Sequence, residues 1–408
     1  MIAGERFGKS ETYITIKDKQ LTAEDVANFS KFQKLSSLSI VDCPLSGADL
    51  NVLFSCAKDS LELSNSGISS QQLSSVDFTG VSLTTLILDN NPSVSNLDVL
   101  RPLSDTIREL SFRNCSVSDL SFLKDSPELR RLDVSGNGVS SLSPLSECVK
   151  LESIDISRNV LTDLTGLEKC ISLRKICAGD NQIADLDALR NTTVLSEIDF
   201  SDNRISDISL LSNSKARLQK VLLANNGIET IDALSGATEL EELNVNGNQI
   251  VSLEPLSACR KLTRLYAAEN RITSDKAAAL SGLEKLVVLN LANNRLTETG
   301  SIRFDQDAYS VLLDLSHNQI GTFDLPDVRY DSLSVYGNPI TDFSGLYKTK
   351  GSTLVFDYNE KINFADLSES DYYDYYIFDC PLNQQISIGE TLGTYKVHFT
   401  TEKEYVPS

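Results

Sequence analysis

No apolar stretch among the 408 residues approaches the ~18–20 that a membrane-spanning helix requires, so direct membrane insertion is not expected. The opening, MIAGERFGKSETYITIKDKQ, lacks the apolar core of a secretory leader. Methionine occurs once, at position 1. Two readings of compartment therefore stand: cytoplasmic by default, or cell-surface or secreted if Met1 is an artificial start. Basic residues are few, 37 Lys and Arg against 57 Asp and Glu, for a net charge of −20. Such a balance argues against nucleic-acid binding, which needs a basic face, and against docking on anionic lipid. It favours a soluble monomer and a basic partner.

Histidine occurs twice, and no Cys-x-x-Cys is present, so no zinc site is expected. The phosphate-binding GxxxxGK[ST], the GxSxG nucleophile elbow and HExxH are all missing. His317 and His398 have no nucleophile beside them in sequence. These absences predict a protein that is not an enzyme and holds no cofactor.

What is present is a repeat. LESIDISRNVLTDLTGLEKC at 151–170 returns from Leu173 as LRKICAGDNQIADLDALRNT. Few residues are identical, but Leu151/Leu173, Ile154/Ile176, Asn159/Asn181, Leu161/Ile183 and Leu167/Leu189 are all 22 apart. The final position of the pattern LxxLxLxxN serves as a register mark. It falls on Cys43, Ser66, Asn91, Cys115, Asn137 and then, at spacings of 20 to 24, on Asn residues from Asn159 to Asn359, ending at Cys380. That makes about sixteen rungs, within the 20–29-residue period of solenoids of this type.

Each position has a physical reason. In the LxL pair the apolar residues point one way and the residues between point the other, which is a short strand with one buried face. Asn then turns the chain, with two donors and one acceptor for backbone groups on the turn and the neighbouring rung. The return legs, such as SPLSEC and TGLEKC, are too short for long helices and predict turns and 3₁₀ segments.

This pattern, LxxLxxLxLxxNxIxDLxxL over roughly Leu35 to Asp379, resembles the 22-residue class of leucine-rich repeat proteins, similar to internalins and to phosphatase regulatory subunits. The resemblance implies an α/β solenoid: a horseshoe with a parallel concave sheet, a mostly 3₁₀ and turn convex side, and a cap at each end. The expected boundaries are 1–35 for the N-terminal cap, 36–380 for the repeats and 381–408 for the C-terminal cap. TAEDVANFSKFQKL reads as an amphipathic cap helix, N-capped by Thr22 with Asp25 three residues on. TYKVHFTT reads as a closing strand, with Tyr395, Val397 and Phe399 on one face.

The eight cysteines fit packing better than bridging. Cys148 and Cys170 should be neighbours on the return legs, as free thiols or as a disulfide. Cys177 should face outward on its strand. The column Asp133, Asp155, Asp199 and Asp314 could gather a cation, but LDLSxN is repeat consensus and Cys177 interrupts it. Asp119, Asp163, Asp185 and Asp207 should accept backbone hydrogen bonds on the ascending turn.

The exposed strand positions lie six, four, two and one residues before the register mark. Charges there and just upstream alternate from rung to rung: Arg130 and Arg131, Glu152, Arg174 and Lys175, Glu197, Lys220, Glu241 and Glu242, Arg264. They read either as a self-paired ladder or as a landing strip for a ligand. The last rungs are instead aromatic, with Tyr336, then Val355 and Tyr358, then Tyr376 and Phe378; Tyr266 is a single aromatic further back. Internalin-like proteins use concave aromatics for partners, so the resemblance points the same way. The alternative is that SESDYYDYYIFDCP packs into the C-terminal cap. The expected function is a non-catalytic scaffold that binds a protein ligand on its concave face, with this patch as anchor. The alternatives are a surface adhesin or ligand-binding ectodomain, and the recognition part of a larger enzyme or regulator.

Overall fold

The computed structural model describes residues 2–8, 10–45, 47–357, 359, 362, 372, 374–378 and 396–400, with Phe378 and 396–400 described for their strand placement only. The chain divides into two compact units, residues 1–205 and 206–408. In the first, β1 (Tyr13–Lys17), β2 (Ser37–Val41), β3 (Ser60–Ser64), β4 (Thr85–Ile87) and β5 (Glu109–Ser111) pair in chain order, all parallel. β6 (Arg131–Asp133), β7 (Ser153–Asp155), β8 (Lys175–Cys177) and β9 (Glu197–Asp199) continue it. The second unit repeats the plan with β10 (Lys220–Leu222), β11 (Glu242–Asn244), β12 (Arg264–Tyr266), β13 (Val288–Asn290) and β14 (Val311–Asp314). β15 (Arg329–Ser334), β16 (Lys350–Asp357), β17 (Asp374–Phe378) and β18 (Lys396–Thr400) complete it. Pairing register equals repeat register: Ile154 faces Ile176, and Leu289 faces Leu313.

The consensus apolar residues make the core. Leu151, Ile154, Ile156, Leu161, Leu164 and Leu167 of one rung are all buried, and the same positions are buried rung after rung. Each such side chain contributes ~1.5–3 kcal/mol by leaving water. The register asparagines do what their chemistry allows. Asn159 Nδ2 donates to Val134 O, Ile156 O and Ser157 O, while its Oδ1 accepts from Val139 N. Asn181, Asn248, Asn270, Asn294, Asn318 and Asn338 repeat the pattern. At Cys43 and Cys115 a thiol donates to carbonyls of the same and the preceding rung.

One recurrent feature was not read from the sequence. The residue just before the register mark is left-handed in rung after rung: Asn90 (φ 55), Asn114 (φ 49), Gly136 (φ 68), Asp180 (φ 58), Asn225 (φ 54), Asn293 (φ 53). Asn, Asp and Gly tolerate this conformation; Arg158 (φ 53), Glu269 (φ 54) and His317 (φ 53) occupy it at a cost. The exposed Arg158 side chain makes no hydrogen bond or ion pair among the described residues, so Arg158→Gly is expected to stabilise the chain. The gain should be about 0.5–1 kcal/mol in urea denaturation; a loss of stability would contradict this account.

The cap helix is shorter than the sequence suggests. α1 spans Ala23–Asn28 and passes into a 3₁₀ turn at Phe29–Lys31, with Val26, Phe29 and Phe32 buried. Thr22 and Asp25 form a reciprocal capping box, as the spacing predicts. Most return legs are short 3₁₀ segments, among them Ser143–Leu145, Asp187–Leu189 and Asp232–Leu234. Two early legs depart from that expectation: α2 (Leu50–Cys56) and α3 (Ser70–Ser74) are helical. Their rungs are longer and carry N-caps, Asp49 for α2 and Ser69 with Gln72 for α3. Residues 381–395 and 401–408, where most of the C-terminal cap was expected, lie outside the described residues, as do Cys380 and Tyr395; Val397 and Phe399 fall in β18.

Candidate functional site

The exposed sheet face of each unit is built from side chains that alternate with the buried LxL pair. In the first unit its charges pair among themselves. Arg130 meets Glu152 at 2.5 Å, Arg131 meets Glu109 at 3.5 Å and Lys175 meets Glu197 at 3.0 Å. In the second unit Glu242 lies between Lys220 at 3.1 Å and Arg264 at 3.0 Å. Most of the alternation is thus a ladder between neighbouring rungs, while Arg174 and Glu241 form no ion pair among the described residues. Burial opposes the charge on Glu242, yet hydrogen bonds from Lys220 and Arg264 prevail and hold its carboxyl below its ordinary value. A depressed folded pKa means the contribution is complete above the unfolded value of about 4.3 and is lost as pH falls through the folded one. The Glu242→Gln chain is therefore expected to be less stable than wild type near pH 7, with the gap closing below about pH 4. A gap that does not narrow as pH falls below about 4 would rule this out.

The first unit also carries a polar cleft of about 400 Å³, crossed by Arg113. Its guanidinium donates to the buried Asp89 carboxylate at 2.8 Å and lies 3.5 Å from Asp133. Asp133 and Asp155 each accept from the backbone N–H and hydroxyl of the serine two residues on. Asp199 accepts from Ser201 N, and Asp314 from Ser316 N and Oγ. The aspartate column therefore fastens its own turns. Asp119, Asp163, Asp185 and Asp207 likewise accept from the backbone two residues on. Cys177 is half-buried in the same cleft, and burial, with Asp155 nearby, pushes its thiol up to about 11. That is opposite to what a nucleophilic thiolate needs. Cys148 and Cys170 are adjacent, with Cys170 Sγ 3.5 Å from Cys148 O, and both are free thiols.

The second unit departs from the charged pattern after Arg264. The column six residues before the register mark becomes Val288 and then Leu312, in register on neighbouring strands, and Leu312 is 40% exposed. Tyr266 and Tyr336, both half-buried, flank them. These four residues, with Asn290, Asp314 and Ser334 at the floor, line a hollow of about 150 Å³. Tyr336 is held edge-to-face against His317, ring centroids 4.7 Å apart. Tyr309, just before β14, is 91% exposed.

The expected aromatic patch is only partly as read. Tyr266, far from isolated, shares the hollow with Tyr336. Tyr376 is half-buried on β17. Val355 stands in the outward column, in register with Ser334 and Tyr376, but its side chain is fully buried. Strands ~4.8 Å apart place a tyrosine directly beside it, and a valine there is shielded by its larger neighbour. Its exposure was thus misjudged. Phe378 is placed only by strand register, opposite Asp357, and Tyr358 lies outside the described residues. Val288 and Leu312 were overlooked, although the break from alternating charge to two apolar residues is visible in the sequence.

Among the described residues no helix is long and apolar enough to cross a membrane. The family model described as leucine-rich repeats in two copies matches residues 127–169 and 216–258, and that of a leucine-rich repeat matches 260–320. Comparison with curated protein sequences finds no match. Among solved structures, the chain is similar to an internalin (InlF) from Listeria monocytogenes at 23% identity and TM-score 0.56, over 70% of this chain and 82% of that one. The functional domain of InlJ from the same organism, described as including a cysteine ladder, aligns at 17% identity and TM-score 0.64, over 85% and 74%. The plant peptide hormone receptor RGFR1, solved in complex with RGF2, aligns at 15% and TM-score 0.61, over 96% and 68%. With its parallel strands, its asparagine ladder and these matches, the chain has the leucine-rich repeat fold.

Proposed function

We propose that the chain is a non-catalytic scaffold that binds a basic protein ligand on the exposed sheet face of residues 206–408. Tyr266, Tyr336 and Tyr376 are its anchors, and the protein is a monomer. The observation that carries this reading is the hollow between Tyr266 and Tyr336, where Val288 and the exposed Leu312 replace the charged column. Half-buried tyrosines around an apolar depression have the composition of interface hot spots. The rungs before it have their charges engaged with one another, so they offer a ligand less. That RGFR1 was solved with a bound ligand on the same fold is compatible with this use. The net charge of −20 would draw a basic partner toward the face.

The test is retention of protein from a lysate by the immobilised chain, comparing wild type with Tyr266→Ala/Tyr336→Ala. A folded double variant is expected to lose affinity for a retained partner by at least ~30-fold, as for a hot spot worth about 2 kcal/mol. A partner held equally by both would place binding elsewhere.

A further inference from the structure

We propose that Asp314, Ser334 and Tyr336 form a socket for an arginine side chain of the ligand; this rests on the protein-binding reading above. Asp314 and Ser334 are register partners on β14 and β15, and Tyr336 follows Ser334 by two residues, so all three line one end of the hollow. Asp314 Oδ1 already accepts from Ser316 N at 3.0 Å and Ser316 Oγ at 2.6 Å. Among the described residues Oδ2 receives no hydrogen bond, and no Lys or Arg forms an ion pair with this carboxylate. Ser334 Oγ is buried at the floor without a hydrogen-bond partner among the described residues. A buried hydroxyl and a carboxylate oxygen that both lack donors describe the head of the missing group: cationic, with several N–H bonds.

The rest of the hollow describes its stem. Leu312 and Val288 lie two residues toward the start of the strands from Asp314 and Asn290, about 7 Å away at strand rise. That distance is about the reach of an extended arginine from its Cα to its guanidinium, so the aliphatic stem would lie on the leucine while the guanidinium reached Asp314. Tyr336 walls the head end and suits a planar cation better than an ammonium. The molecule contains an internal precedent. In the first unit Arg113 lies over the sheet face and its guanidinium reaches both Asp89 and Asp133. The ligand's arginine would do at Asp314 what Arg113 does there.

The full chain is titrated with N-acetyl-arginine-N-methylamide and with the neutral isostere N-acetyl-citrulline-N-methylamide at about 0.15 M salt, where long-range attraction to the acidic surface is screened. Amide shifts of Asp314, Ser316 and Ser334 are followed by NMR. The arginine probe is expected to shift these amides to saturation in the millimolar range. The citrulline probe should bind at least about fivefold more weakly, since charge assistance roughly doubles a hydrogen bond. Asp314→Asn keeps the oxygen that holds Ser316 and should weaken the arginine probe by a similar factor. Leu312→Ala, which leaves the floor intact, should also weaken it. Equal binding of the two probes, absence of shifts at the three amides, or unchanged binding by Asp314→Asn would overturn the socket. A partner lost by Tyr266→Ala/Tyr336→Ala but held equally by Asp314→Asn would overturn the socket alone and leave the protein-binding reading in place.

Discussion

Asn159→Ala is expected to remove about 3–4 kcal/mol of stability, a large effect for an exchange that removes no apolar side chain. The side chain gives Nδ2 to three carbonyls, Val134 O, Ile156 O and Ser157 O, and takes the N–H of Val139 on Oδ1. Alanine leaves these backbone groups inside the rung with water largely excluded. Each unsatisfied group costs ~1–3 kcal/mol, partly relieved by relaxation of the turn. Asn159→Cys should cost less, about 1–2 kcal/mol, because the thiols of Cys43 and Cys115 reach two carbonyls from the equivalent place. Denaturant midpoints would rank the three proteins, and amide exchange at Val139 should accelerate in the alanine variant. A loss below about 1 kcal/mol would mean that the ladder is decoration on a core held by leucine alone.

The second large effect is expected at a glycine. A Cβ on Gly166 would lie 2.1 Å from Leu142 O and 2.5 Å from Leu142 C, at φ +115. Both contacts are with backbone of the preceding return leg, so neither can swing away. Gly166→Ala should cost at least ~3 kcal/mol through a forced shift of one leg against the next. Gly236 is the control: its φ is +82, but an added Cβ meets nothing within 4 Å. Gly236→Ala should therefore carry only the left-handed penalty, ~1 kcal/mol. Similar losses for the two variants would show that the close approach at Gly166 is not what matters there.

Most of the fold was legible because the repeat is a constraint written many times. Leu151, Ile154 and Ile156 recur with their neighbours at a fixed spacing, and each copy reports the same buried face. Asn159 was legible for the same reason, and its hydrogen-bonding capacity named its task in advance. The left-handed residue before it was not anticipated. Its signal, the run of Asn, Asp and Gly at 90, 114, 136 and 180, was present but is broken by Arg158 and His317. The helical legs α2 and α3 escaped because the period was read as one leg type throughout, while their caps at Asp49 and Ser69 are local.

The candidate site was less legible for a different reason. The hollow draws Tyr266, Val288, Leu312 and Ser334 from four successive strands, and no single rung contains its pattern. Tyr266 looked solitary when read along the chain and ceased to be so when read across it. Val355 failed in the opposite sense. Outward direction was deduced correctly from alternation, but exposure depends on what stands on the adjacent strands, and alternation within one strand carries no information about that.

The asparagine ladder has a direction. Asn159 fastens its own turn and also the rung before it, through Val134 O and Val139 N; Asn181 does the same for Ile156 O and Leu161 N, and Asn318 for Leu291 O and Leu296 N. Each of these rungs is thus held in part by the next one along the chain. A cut on the N-terminal side of a rung removes only what that rung was holding. A cut on its C-terminal side removes its latch. Damage to such an array should therefore spread backwards, toward the N-terminus, and a chain emerging during synthesis would secure each rung only once its successor had formed.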